Sequence, residues 1–366
     1  MKRIILSGGG TGGHIYPAVA VAEELTKRFG DDVELLFVGA EGKMEMEKVP
    51  ASGYKIIGLP VVGIQRRLTW KNLSVPFRLA KSLMKARGLI KVFKPDAVVG
   101  FGGYASAPIL WAAQRMKVPT VIQEQNSYAG VANKILSKRA DRICVAYDGM
   151  ERFFPASKIV MTGNPLRGSF GKDTADRAEA LKYYGFTDEL PVLLIVGGSL
   201  GTRTLNNMMK SWLVTLGGEA PVQVIWQTGK IYEREMSDFM KAYPTKNIWQ
   251  GAFIERMDYA YAAADLVISR SGACTVSELC LAGKPTLFVP SPNVAEDHQT
   301  KNAQALADKG AAVIVRDGEA VECAMDKALE LLNNRKKLKS LSTNIEKLAV
   351  ADAAARVADE IEKVMK

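Results

Sequence analysis

The sequence predicts an α/β protein made of two doubly wound parallel-sheet domains in succession. Three observations predict it. Short β-branched runs alternate with amphipathic stretches along the chain, a βαβα rhythm that calls for a parallel sheet covered by helices on both faces. The rhythm opens on a strand followed by a glycine loop, and it restarts on a second such pair after "MTGNPLRGSFGKDTADRAEA". The chain has 366 residues, room for two cores of ~150 residues each.

The elements follow in order. "RIILS" (3–7) reads as a buried strand, followed by a glycine loop and a helix from about Pro17 to Phe29. "VELLFVG" (33–39), "AVVGFGG" (97–103), "VPTVIQ" (118–123) and "RICVA" (142–146) continue the first series. "PVLLIVGGSLGT" (191–202) starts the second with strand, glycine loop and helix start. "VQVIWQT" (222–228), "NIWQGAF" (247–253), "DLVIS" (265–269), "KPTLFVP" (284–290) and "AAVIV" (311–315) complete it. The join lies near Gly163–Pro165, which gives domains 1–163 and 164–347. From Leu348 to Lys366, Ala351, Ala354, Ala355, Ala358, Ile361 and Val364 recur at helical spacing. That tail can pack back on either domain, the first being the expectation.

Composition narrows the class. Hydrophobic residues make up 48% and charged residues 24%, as in a soluble globular protein. Cys144, Cys274, Cys280 and Cys323 are scattered without a CxxC pair, which suits a reduced, cytoplasmic protein without structural zinc. "MKRIILSGGG" has too short an apolar run for a signal peptide. The uncharged stretch from Ala97 to Gln114 is broken by Gly102, Gly103 and Pro108, so it reads as strand, loop and helix rather than a membrane span.

The net charge of +10 is lopsided. Residues 1–163 hold 24 Lys/Arg against 13 Asp/Glu, and residues 164–366 hold 25 against 26. Between Val49 and Pro95 there are ten basic residues and no acidic one. Such a field attracts lipid headgroups, phosphates or nucleic acid. Within 61–94, Trp70, Leu73, Phe77, Leu79, Leu83 and Met84 alternate with Arg66, Arg67, Lys71, Arg78, Lys81, Lys85 and Arg87. This reads as a peripheral docking patch on an anionic membrane, each basic residue contributing on the order of 1 kcal/mol. It reads equally as an amphipathic core helix with a solvated basic face, and both are expected in part. No nucleic-acid recognition module is present.

"GGGTGGH" (8–14) matches GxGxxG through Gly8, Gly10 and Gly13, between a strand and a helix. Glycines there let the backbone approach a ligand and point N–H groups at it beside a positive helix end. A dinucleotide site also wants an acid at the end of the next strand, where this chain has Gly39. That disfavours NAD or FAD, and a tight turn that only lets helix and sheet pack is the plainer alternative. "FGGYAS" (101–106) and "GGSLGT" (197–202) are further loops of the kind. Loops at strand ends in both domains suggest two sites facing each other across a cleft.

"SRSGACTVSELCLAGKP" (269–285) carries Glu278 on a helix closed by Gly283 and Pro285. Thr275 and Glu278 have the spacing of a capping box. The other reading is a carboxylate that accepts two hydrogen bonds from a ribose diol. Asp297, His298, Gln299 and Asn302 cluster at a helix start and suit sugar hydroxyls, with Asp297 as an ordinary cap the alternative.

Seven motifs, "GGGTGGHIYP", "GFGGYASAP", "EQNSYAG", "TGNPLR", "VGGSLGT", "SRSGACTVSEL" and "EDHQTKNA", stand in one order over nearly the whole chain. In these the sequence resembles the MurG family, bacterial transferases that move N-acetylglucosamine (GlcNAc) from UDP-GlcNAc to lipid I and so make lipid II for peptidoglycan. The resemblance implies the GT-B fold, two Rossmann-like domains across a cleft. It implies UDP-GlcNAc in the second domain, with pyrophosphate at Ser199 and Arg167, uracil at the backbone of Ile254, and ribose at Glu278. Ala273, Cys274, Thr275, Val276 and Ser277 would line the nucleotide, and Gln299 would hold GlcNAc with His298 close by. Thr11, Gly12, Gly13 and Asn126 would complete the donor site from the first domain, and Tyr104 would lie on the acceptor side.

The implied reaction is inverting displacement at the anomeric carbon by the 4-hydroxyl of the lipid's N-acetylmuramyl sugar (MurNAc). An imidazole titrates near neutrality, so His14 is the candidate base, with Glu124 competing. Many relatives read "HEQN" where this chain has "QEQN", so Gln123 stands in a histidine's place and cannot carry a proton there. No Asp-x-Asp motif is present and Glu45-Met-Glu47 reads as a charged surface helix, so neither metal nor cofactor is expected. The expected place of work is the cytoplasmic face of the inner membrane, peripherally bound. Rival readings are another GT-B enzyme such as a glycolipid synthase, a UDP-sugar epimerase, and a dinucleotide-dependent oxidoreductase.

Overall fold

The computed structural model describes residues 1–61, 75–167, 175–198 and 200–365. Arg66, Arg67, Trp70, Lys71 and Ser199 lie outside the described residues. The chain divides into two compact units, Met1–Gly168 with Asp352–Lys366, and Ser169–Ala351.

The first unit is a parallel sheet of β1 (Lys2–Ser7), β2 (Val33–Ala40), β3 (Ile56–Leu59), β4 (Ala97–Gly100), β5 (Thr120–Glu124), β6 (Arg142–Val145) and β7 (Ile159–Met161). Its strand order is β3-β2-β1-β4-β5-β6-β7, and all neighbouring strands pair in parallel. The helices between the strands are α1 (Gly12–Phe29), α2 (Glu45–Ala51), α3 (Val75–Phe93), α4 (Ala107–Arg115) and α5 (Val131–Ser137). Alternation on β1 feeds two cores. Ile4 and Leu6 pack with Val19, Ala22 and Leu25 of α1 on one face. Ile5 packs with Ala86 and Ile90 of α3 and Ile109 of α4 on the other.

The second unit holds β8 (Val192–Val196), β9 (Gln223–Gln227), β10 (Ile248–Gly251), β11 (Leu266–Ser269), β12 (Thr286–Phe288) and β13 (Val313–Ile314). These are parallel in the order β10-β9-β8-β11-β12-β13. Its helices are α6 (Arg177–Tyr184), α7 (Arg203–Leu216), α8 (Glu233–Ala242), α9 (Met257–Ala263), α10 (Ala273–Ala282), α11 (His298–Ala307), α12 (Ala320–Leu332) and α13 (Arg335–Glu346). Leu193 and Ile195 of β8 meet Leu205, Met209 and Trp212 of α7 and Ala324 and Ala328 of α12 in one core.

The last helix, α14 (Ala353–Val364), belongs to the first unit. Val357, Ala358 and Ile361 are fully buried in the core that α1 covers. Arg28 of α1 donates to Asp359 at 2.6 Å, Glu362 at 2.8 Å and the carbonyl of Ala355 at 2.9 Å.

Two features differ from the sequence expectation. The helix expected from Pro17 starts at Gly12, so His14 sits in its first turn and not behind a loop. The edge strands β3 and β7 were not expected. They are four and three residues long and only partly buried, too short for an alternating pattern.

Strand order reverses between β1 and β4 in the first unit and between β8 and β11 in the second. In open parallel sheets ligands bind beyond the carboxyl ends of strands at such points.

Candidate active site

At the switch point of the first unit, β1 runs into Gly8–Thr11. Thr11 caps α1 in extended geometry, and its carbonyl accepts from the backbone N–H of His14 at 3.1 Å and of Ile15 at 3.3 Å. The His14 side chain folds back on the loop. Its Nδ1 lies 3.0 Å from the Gly9 carbonyl and 3.2 Å from the Thr11 hydroxyl. A carbonyl can only accept, so Nδ1 carries the proton and donates, and Nε2 holds the lone pair. Burial lowers the imidazole pKa from its ordinary value, against the upward pull of the Gly9 carbonyl, then Glu124, then Glu45. The ring is therefore neutral at pH 7, the form a base needs.

The loop after β4 shapes the other side of the ring. Gly102 and Gly103 both have left-handed backbones, φ +90° and +77°. A Cβ on Gly102 would stand 3.2 Å from Nε2, and one on Gly103 would stand 3.2 Å from Nδ1 and run into the Gly9 carbonyl. The next residue, Tyr104, lays its ring against Gly10, and burial followed by Glu45 raises its phenol pKa.

Glu124 ends β5 and is buried. Oε2 accepts from the Gly130 N–H at 3.0 Å and the Asn133 amide at 2.9 Å. Oε1 accepts from the backbone and side-chain nitrogens of Asn126, at 3.2 and 3.3 Å. Three donors of the 126–130 loop and one from α5 thus converge on this carboxylate. Gln123 is fully buried and its amide donates to Asn164 at 3.1 Å. Gln125 donates to both Gln123 and the Phe101 carbonyl. The residue in the histidine's place is thus part of an amide network joining the loops after β4 and β5. Arg167 is engaged on α1: its Nε is 3.6 Å from Glu23 and its guanidinium lies over the Tyr16 ring at 5.5 Å.

In the second unit, Gly198 (φ +82°) and Gly201 (φ +79°) shape the loop between β8 and α7, and Thr202 donates to the Gly197 carbonyl at 2.8 Å. A Cβ on Gly201 would run into the Thr228 carbonyl. Asn206 secures the same carbonyl at 3.0 Å and accepts from the Trp226 indole at 3.0 Å. Ile254 is buried beside the half-exposed Phe253.

Beyond β11, Gly272 is the N-cap of α10 and no side chain caps it. The capping-box spacing of Thr275 and Glu278 is therefore not used. Thr275 is the third residue of α10, and the partly buried Glu278 instead accepts from the Tyr261 hydroxyl of α9 at 3.3 Å. Burial pushes the Glu278 carboxyl up to about 7, with the Tyr261 hydroxyl pulling it down. Val276 is buried and the Ser277 hydroxyl turns back to the Ala273 carbonyl at 3.1 Å. Asp297 occupies the N-cap position of α11 with φ +52°, but its side chain makes no cap. Gln299 accepts from the Ser291 N–H at 2.9 Å through its side chain and from the Ser271 hydroxyl at 2.8 Å through its carbonyl, tying the ends of β11 and β12 together.

Each sheet thus carries glycine loops and polar side chains beyond the strand ends at its switch point. The glycosyltransferase family 28 N-terminal domain matches residues 4–145, and the family's C-terminal domain matches residues 192–357. The chain belongs to glycosyltransferase family 28. This family 28 glycosyltransferase is 55% identical to a Parabacteroides distasonis protein over 99% of this chain and 98% of the relative. It is 54% identical to a Bacteroides thetaiotaomicron protein over 99% and 97%. Both are named UDP-N-acetylglucosamine–N-acetylmuramyl-(pentapeptide) pyrophosphoryl-undecaprenol N-acetylglucosamine transferase. The crystal structure of Acinetobacter baumannii MurG superposes with a TM-score of 0.80 at 32% identity, covering 99% of this chain and all of that one.

One residue at the first glycine loop lies where the sequence did not place it. Glu45 was expected with Glu47 on a charged surface helix; of the two only Glu47 is exposed, Glu45 being fully buried. The signal was the pair Gly9 and Gly39, whose missing side chains make room for it. Among the described residues no cluster of three or more His, Cys, Asp or Glu is arranged to hold a metal ion.

Proposed function

We propose that the chain transfers GlcNAc from UDP-GlcNAc to the MurNAc 4-hydroxyl of lipid I, with inversion, making lipid II. The first unit takes the acceptor and the second takes the donor. His14 carries the reading: its Nδ1–H is committed to Gly9, and Nε2 has no hydrogen-bond partner among the described residues, on a ring that is neutral at pH 7. As the acceptor oxygen bonds to the anomeric carbon, its proton passes to Nε2 and the bond to UDP breaks on the opposite face. General-base help of this kind contributes about 10²–10⁴-fold. Glu124 is less available to the acceptor hydroxyl because four donors already occupy its oxygens.

In the second unit the first-turn N–H groups of α10, behind Gly272, suit the pyrophosphate. Glu278 suits the ribose diol and Gln299 the GlcNAc hydroxyls, while the Ile254 backbone suits uracil. The test is transfer of labelled GlcNAc to a short-chain lipid I analogue. His14→Ala is expected to lose turnover with UDP binding intact, and Glu278→Ala to bind UDP weakly. Full turnover by His14→Ala would remove the base from this reading.

The acceptor's polyprenyl chain calls for peripheral binding at the cytoplasmic membrane face. In α3, Ser82, Ala86 and Ile90 are buried, whereas Phe77 is 81% exposed beside exposed Arg78, Leu79, Lys81 and Met84. Ile135 of α5 is 67% exposed. Among the described residues no helix is long and apolar enough to cross a membrane. Phe77→Ser with Lys81→Glu is expected to abolish flotation with anionic vesicles; unchanged flotation would refute docking through α3.

A further inference from the structure

Glu45 has no part in the reaction as proposed, yet its carboxylate is completely buried at the first glycine loop. It opens α2 and reaches back over the end of β2. Oε1 accepts from the Ala40 N–H at 3.0 Å, and Oε2 accepts from the Gly10 N–H at 3.0 Å. The neighbouring backbone is cleared for it. A Cβ on Gly9 would run into Oε1, and one on Gly39 would stand 2.6 Å from Cγ. In a dinucleotide-binding sheet the glycine loop takes a pyrophosphate and the end of the second strand supplies an acid for the ribose. Here one internal carboxylate bridges both places.

The Gly10 N–H and the Gly9 carbonyl belong to one peptide group. Glu45 accepts from one end of that group, and His14 Nδ1 donates to the other at 3.0 Å. Hydrogen bonds in series polarise one another: an anion on the N–H makes the carbonyl at the far end a stronger acceptor. We propose that Glu45, the Gly9–Gly10 peptide and His14 form a carboxylate–peptide–imidazole relay, in which Glu45 is a positioning residue that fixes the His14 tautomer and stabilises the imidazolium formed during transfer. No proton crosses the peptide. The proton taken from the acceptor stays on Nε2, the Nδ1 proton stays where it is, and Gly9 faces the new positive charge. In a serine-hydrolase triad a carboxylate holds the base directly; here a peptide group stands between.

The proposal rests on His14 as the base, but the relay itself is readable without turnover. The titratable groups around the imidazole are Glu45 from α2, Glu124 from β5 and the Tyr104 phenol from the loop after β4. The chain has two histidines, so ring signals are assigned by comparison with His298→Gln. In the wild type, the Gly10 amide proton shift is expected to titrate with the same midpoint as the His14 ring. In Glu45→Gln the His14 midpoint is expected to fall by about half a pH unit or more, because an anion that favours the imidazolium is gone. The acid limb of kcat/KM follows it down, kcat drops roughly tenfold, and the KM for UDP-GlcNAc holds. Glu47→Gln, exposed on the same helix, changes none of these. A Gly10 amide that ignores His14 protonation would overturn the relay even if Glu45→Gln failed to fold. So would an unmoved midpoint in a folded Glu45→Gln. A coupled Gly10–His14 titration alongside an active His14→Ala would leave the Glu45–peptide–His14 coupling standing but refute His14 as the base, and with it the relay's part in transfer.

Discussion

Gly102 packs so closely on His14 that a Cβ there would stand 3.1 Å from Cδ2 and 3.2 Å from Nε2. Its backbone is also left-handed, at φ +90°. Gly102→Ala therefore meets two costs, backbone strain of about 1–3 kcal/mol and a methyl group against the nitrogen that takes the proton. Turnover is expected to fall by roughly 10²-fold, with UDP affinity unchanged. Steady-state kinetics beside calorimetric UDP binding checks it.

Glu278 gives UDP binding a pH dependence of known sign. Burial pushes its carboxyl up to about 7, above the ordinary 4.5. A ribose diol donates to the ionised form, so UDP affinity is expected to rise between pH 6 and 8, by up to about tenfold per pH unit below the midpoint. Binding near pH 7 releases a proton, measurable by calorimetry in buffers of different ionisation enthalpy. Stability runs the other way. A raised carboxyl pKa favours the folded state below pH 4.5, and that contribution disappears as pH rises through 7. Glu278→Gln is thus expected to raise the melting temperature at pH 8, leave it nearly unchanged at pH 5, and flatten the UDP pH profile.

Tyr261 orients that carboxylate and is itself buried, 3.3 Å from Glu278 Oε2. Tyr261→Phe removes a donor that holds the Glu278 pKa down. The midpoint of the UDP affinity profile should move to higher pH. At pH 7 binding weakens several-fold, in line with about 0.5–1.5 kcal/mol for one hydrogen bond; at pH 9 it approaches wild type. Affinity measured at the two pH values separates this from a general loss of fold.

Ile361 lies late in the chain but completes the core of the first unit. Ile361→Ala is expected to destabilise that unit by about 2–5 kcal/mol. In scanning calorimetry with and without UDP, the transition that UDP shifts should keep its position while the other falls. A shift of the UDP-sensitive transition would contradict the assignment of α14 to the first sheet.

What the sequence revealed depended on burial on both faces. β1 and β8 read as strands because "RIILS" and "VLLIV" are apolar runs set against glycine loops, and both stand at the centre of their sheets. β3 and β7, at the edges, left too few buried residues for a pattern. Gly12, Gly13 and Pro17 punctuate the sequence as a loop does, which hid the first turn of α1; the carbonyl of Thr11 starts the helix all the same. His14, Glu124 and Glu278 were readable as candidates from motif spacing. Their partners were not. Tyr261 reaches Glu278 from another helix, and Glu45 sits in a run of alternating charges that looks solvated. Contacts of that kind are made by tertiary structure and leave no local period.

The return of α14 to the first sheet also sets an order of events during synthesis. A ribosome delivers β1 and α1 early, then makes all of Ser169–Ala351 before Val357, Ala358 and Ile361 can join α1 and cover the face of β4, β5 and β6 that carries Val99, Val121 and Cys144. Through that interval this part of the nascent sheet lacks one of its two covering helices. Exposed apolar surface of that kind is what holding chaperones bind, and a truncated transcript would leave it uncovered.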